Sequence, residues 1–193
     1  MNKNRLEAFS DGVIAIIITI MVLELKLPQG GTWSDLKPLI PTLLSYVLSF
    51  LFIAIYWGQH HHMLHTVKKV GPGIIWSNMA LLFSLSLIPF STAWMGENHF
   101  SRDTVVCYAI LQNMCGLSYY ILQQVIIRQH DFNEKQKEAY KKQERRGILS
   151  LILFVTSVFV AYIDPIFSEI IFVITVGMWL IPDRNIQNAF TEH

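Results

Sequence analysis

The sequence predicts an all-α membrane protein with six transmembrane helices, read as a single domain over residues 1–193. Three observations predict it. Hydrophobic residues make up 52% of the chain against 15% charged, with a mean hydropathy of +0.39, an apolar excess too large for the one core that a soluble chain of this length forms. Charge-poor stretches recur at about the 20 residues that a helix needs to cross a hydrocarbon layer of ~30 Å. The basic residues gather on alternate connections, as cytoplasmic loops collect Lys and Arg.

The first span covers residues 8–27. Its basic start at Asn2 to Arg5 and its apolar run over 12–23 are features of a leader peptide, but Asp11 interrupts the boundary and no small-x-small cleavage site follows. It reads as a membrane helix. The second span, 39–64, closes in Tyr56, Trp57 and the histidines at 60–62. The third, 73–95, lies in a stretch with no Asp, Glu, Lys or Arg between Lys69 and Glu97, and Pro89 is its one plausible break near the midplane. The fourth, 104–127, is equally clean between Asp103 and Arg128; Cys107 and Cys115 stand about two helical turns apart on it, too far for a disulfide. The last two, 147–163 and 165–182, are short and split by Asp164-Pro165, which a helix interior does not readily tolerate. A tight helical hairpin and a re-entrant pair both fit that split.

With six crossings and the N-terminus inside, the inner segments hold Lys3, Arg5, Lys68, Lys69, Arg128, Lys135, Lys137, Lys141, Lys142, Arg145, Arg146 and Arg184, and the outer ones only Lys26, Lys37 and Arg102. Both termini are therefore expected in the cytoplasm. The 128–146 segment "RQHDFNEKQKEAYKKQERR" interleaves acids with bases, which suits a solvated inner loop with helical extensions, and no nucleic-acid partner is expected.

Two motifs are tempting. The stretch "TVGMW" at Thr175 to Trp179 approaches the TVGYG of a carbonyl-ladder potassium filter, yet it lies at the end of a terminal apolar run with no crossing helix after it. His61 and His65 have the i, i+4 spacing of a helical metal pair, but no carboxylate or cysteine is near in sequence, so no metal and no cofactor are expected. Nothing pairs a nucleophile with a base or cradles a phosphate. An enzyme is not expected.

The polar groups at the head of the first helix carry more information. Arg5, Ser10 and Asp11 sit near the inner boundary, where an unpaired carboxylate facing lipid costs several kcal/mol, so partners on neighbouring helices are expected. At matching depth the second helix carries Trp57, His60 and His61, and the third carries Trp76 and Asn78. A buried network joining helices one, two and three fits this placement, as does an interfacial belt of Trp, Tyr and His. Further along, Ile16, Ile20 and Leu23 fall on one helical face with Thr19 beside them. Such a stripe suits core or lipid; repeated around a symmetry axis, it becomes a hydrophobic constriction.

The run Arg5-x-x-x-Phe9-Ser10-Asp11, the Tyr56-Trp57 and histidine cluster, and Trp76-x-Asn78 with Pro89-Phe90 resemble the transmembrane protein 175 family of potassium channels, with "FSDG" the most specific part. Beyond residue 100 only the layout matches. A single six-helix repeat is similar to the prokaryotic form, so the resemblance implies a homotetramer in the cell membrane with potassium as the permeant ion. It implies a pore lined by four first helices without a TVGYG loop, in which Ile16 forms the constriction, Thr19 bears on selectivity, and Ile20 and Leu23 form further apolar rings. Phe9 joins Arg5, Ser10 and Asp11 in the polar network on the same ground. Whether Glu24 faces the mouth is left open. A proton-coupled or solute carrier is the alternative, and a membrane scaffold a third reading for which buried polar groups are a needless cost.

Overall fold

The structure, a computed structural model, describes residues 2–181, and Arg184 and the end of the last expected span lie outside them. Every regular element among the described residues is helical. The chain runs through α1 (Lys3–Leu23), a 3-10 segment (Trp33–Leu39), α2 (Ile40–His65), α3 (Pro72–Ser86), α4 (Ile88–Glu97), α5 (Arg102–Gln129), α6 (Glu134–Val160) and α7 (Pro165–Leu180). Four stretches are long and apolar enough to cross a membrane: α1, the 3-10 segment with α2, α3 with α4, and α5. At 16 residues α7 is a shorter apolar helix.

Local chemistry sets the boundaries. The Asn2 side chain caps α1 by accepting from the Asn4 amide at 3.2 Å. Ahead of α2, Thr32 donates its hydroxyl and its amide to Asp35 at 2.6 and 2.9 Å, and those bonds hold the Asp35 carboxyl below its ordinary range. The single third span expected from the sequence is two helices meeting at Leu87. Pro89 is the reason: it offers no N–H to the carbonyl of Leu85 and its ring crowds that carbonyl. The helical extensions expected over 128–146 are present, and they pack rather than project into solvent. Asn133 and Gln136 form a reciprocal cap at the start of α6, which buries Ala139, Tyr140 and Gln143 before it becomes apolar. Between α6 and α7, Asp164 caps the Ile166 amide at 3.0 Å and Pro165 takes the first helical position. Ser168 donates to the Ser157 carbonyl at 2.7 Å, closing a helical hairpin.

Two apolar cores sit side by side. Leu6, Ile14, Ile17 and Met21 of α1 pack with Ile53, Ile74, Leu81 and Leu122, while Phe52, Met95, Tyr108, Phe154 and Phe172 build the second around α5, α6 and α7. α2 contributes to both and meets α4 closely at Gly96, where an added Cβ would stand 2.6 Å from the Thr42 Cα. Gly96→Ala is therefore expected to force the helices apart and to cost about 1–3 kcal/mol, read as a lower thermal midpoint in detergent, with an unchanged midpoint as the contrary result.

Candidate functional site

α1 packs on α2, α3 and α4 through one face only, Leu6, Ser10, Ile14, Ile17 and Met21, a repeat of four, four, three and four residues. Its first three turns are fastened by hydrogen bonds. Lys3 Nζ donates to the His65 carbonyl at 2.6 Å. Ser10 donates to the Leu6 carbonyl and accepts from Asn78 Nδ2, both at 2.9 Å. The other end of the same amide, Asn78 Oδ1, lies 2.7 Å from His60 Nε2, so that nitrogen carries the proton and donates. Trp57 Nε1 donates to Asp11 Oδ1 at 2.9 Å, and the His61 ring stacks on Trp57 with centroids 5.9 Å apart. Ser10, Asn78 and His60 are fully buried, so each of these bonds is made where water offers no replacement.

The structure thus brings together Ser10, Asp11, Trp57, His60 and Asn78, with His61 against Trp57. It leaves three of the expected members outside. Arg5 is exposed and bonds to no described side chain; it lies five residues before Ser10, about 140° around the helix. Phe9 points outward from α1, and Trp76 is 74% exposed, because it lies two positions before Asn78, about 200° around the helix and on the far face of α3. Both have the exposure of belt residues.

The stripe lies on the open face of α1. Ile16 is 59% and Leu23 80% exposed in the protomer, with Thr19 and Ile20 also exposed. Ile17, next to Ile16 in the chain, is 3% exposed in the core, since one residue turns the helix by about 100°. Thr19 Oγ1 donates to the Ile16 carbonyl at 2.9 Å, so its proton is engaged and its oxygen lone pairs remain available. Sequence reasoning missed the opposite wall: Ile16, Ile20 and Glu24 share a cleft of about 650 Å³ with Phe90, Trp94 and Glu97 of α4. Only the aromatic spacing on the third span hinted at it. Glu24 lines this cleft, and Lys26 Nζ bridges to Glu97 at 2.6 Å beside it.

The remaining motifs resolve simply. Thr175 to Trp179 lie within α7, and Thr175 donates back to the Ile171 carbonyl at 2.8 Å. Among the described residues no three His, Cys, Asp or Glu side chains converge as metal ligands.

Fold and site together define a membrane protein whose first helix is fastened at one end, clamped along one side and open along the other. Residues 5–89, which hold α1 from Arg5 onward and its partners on α2 and α3, match the family model described as endosomal/lysosomal potassium channel TMEM175. The chain is 45% identical over all 193 residues, and over the full length of both proteins, to a protein of Chryseobacterium sp. (strain P1-3) named a potassium channel. It is 25% identical over 182 residues to the endosomal/lysosomal proton channel TMEM175 of Rattus norvegicus, covering 86% of this chain and 36% of the rat protein. The fold matches the crystal structure of a TMEM175 homolog from Chamaesiphon minutus with a TM-score of 0.83 at 24% identity, over 95% of this chain and 97% of that one. The chain belongs to the TMEM175 family.

Proposed function

We propose that the protein is a potassium-preferring cation channel that conducts without a TVGYG filter, through a central path lined by α1 from each of four copies. The observation that carries this reading is the exposed stripe on a helix whose other face is rigidly packed. Four copies of Ile16 around an axis form the narrowest apolar ring, which opposes ion entry by excluding water, and Ile20 and Leu23 form wider rings toward Glu24. The Thr19 oxygen faces the same path and stands in for part of the water a dehydrating potassium ion loses. The name of the full-length relative supports the choice of ion. In this reading one domain makes six crossings of the cell membrane, with α6 and α7 as the last two and both termini in the cytoplasm; its partners are lipid, potassium and its own copies, with no cofactor and no nucleic acid.

A proton-coupled or solute carrier is the second reading; the name of the rat relative points to protons as an ion, though through a channel. Purified protein in planar bilayers under a potassium gradient decides between them. Unitary current steps with a reversal potential near that of potassium are expected, and slow saturating flux without unitary steps would replace the channel by a carrier.

A further inference from the structure

The turn between α2 and α3 is held by a histidine whose protonation state the geometry fixes. His130, at the end of α5, accepts the backbone N–H of Lys68 at 3.1 Å and that of Lys69 at 3.4 Å on its Nε2. An atom that accepts from an amide bears no proton, so in the neutral ring the proton is on Nδ1, which lies 3.1 Å from the Ile126 carbonyl and donates to it. All the polar atoms of the ring are thereby committed to one tautomer. We propose that His130 is a proton-sensitive latch that holds the α2–α3 turn to α5 when neutral and releases it when protonated.

The imidazolium has no lone pair. Its second N–H would point at two other N–H groups, leaving both amides without an acceptor and setting a positive ring beside Lys68 and Lys69. Arg128, two residues before it, adds to that repulsion, and Asp131, next in the chain, opposes it. Phe132 and Tyr140 pack in sequence beside the ring, with His130 and Phe132 centroids 6.1 Å apart, and Tyr140 holds Thr66 at the start of the turn by a hydroxyl contact of 2.7 Å. From α1, Lys3 reaches His65 just before the turn and carries Glu7 3.8 Å away. The carbonyl end of α5 still receives the charged ring through Nδ1–H and Ile126, so protonation does not expel the histidine from its helix end. It breaks only the latch. The latched form takes the neutral ring alone, so acid shifts the balance toward release.

This matters beyond the turn because Trp57 and the His65 carbonyl, in the last turns of α2, bond to α1 directly, and His60 beside them bonds to the Asn78 that holds Ser10. The test is amide hydrogen exchange of the full chain in lipid nanodiscs, corrected for intrinsic rates, and needs no assumption about conduction. Protection of the Lys68 and Lys69 amides is expected to fall about tenfold between about pH 7.5 and about pH 5.5, while the α5 amides near Leu122 keep theirs. His130→Gln, which keeps an acceptor and cannot titrate in this range, should hold protection flat, and His130→Ala should show the low level at both pH values. A pH-independent wild type, or a Gln variant that follows the wild-type fall, would overturn the latch.

Discussion

Replacing Ile16 with Asn is expected to increase current through reconstituted protein several-fold and to move the reversal potential between potassium and sodium solutions toward zero, while Val173→Asn should change neither. The contrast rests on placement. Ile16 and Val173 are nearly equally exposed in the protomer, at 59% and 62%, but Ile16 lies on the open face of α1 and Val173 on α7, a helix packed on α2, α5 and α6. A ring of four isoleucines opposes ions by keeping water out; four carboxamides in the same ring admit water and replace part of a hydration shell, so the barrier and the discrimination fall together. Thr19→Ala should shift the reversal potential with less change in current, since it removes an oxygen but widens little. If the Ile16 and Val173 variants behave alike, α1 does not line the path and the stripe covers lipid or packing. Ile17 is unsuitable as the control that its position suggests, because a polar group there disrupts the core.

The second large effect concerns stability. Asn78→Leu is expected to destabilise the protein by about 1–3 kcal/mol for the buried His60 N–H it orphans, with more for the donor that the Ser10 oxygen loses. It should appear as a lower thermal midpoint and as earlier loss of oligomer in detergent. Arg5→Ala, on the exposed side of the same helix, should stay within about 0.5 kcal/mol of wild type. The double variant Asn78→Leu with His60→Leu should recover part of the loss, because removing both partners leaves no unsatisfied donor between them. Simple addition of the two single effects would mean that the 2.7 Å contact between them carries no coupling.

How much of this was legible follows from what each part depends on. Gaps in charge marked the apolar spans because lipid excludes charge whatever the tertiary arrangement, and Asp164-Pro165 marked a real hairpin through its own backbone chemistry. Ser10 and Asp11 stood out because polar groups at that depth need partners. Their partners on α2 and α3 could be named by depth, but helical phase decides which of them point inward, and it turned Arg5 and Trp76 away. Sequence alone does not separate Ile16 from Ile17, because an apolar residue on a membrane helix suits core and lipid equally. The cleft wall at Phe90 and Trp94 depends on how α4 leans after the break at Leu87, which no local pattern encodes.

The fastenings of α1 end at Asp11. From Gly12 to Leu23 no side chain of this helix hydrogen-bonds to another described helix, and contact there is by apolar packing alone. In a membrane such surfaces are held by van der Waals packing, without the directional constraint that a hydrogen bond adds. The helix is thus a post set in a footing and unguyed above it. Gly12, with open space around its Cα, sits at ground level where a bend meets least resistance. In the proposed assembly of four copies, such posts would lean outward at their tops while their bases stay put.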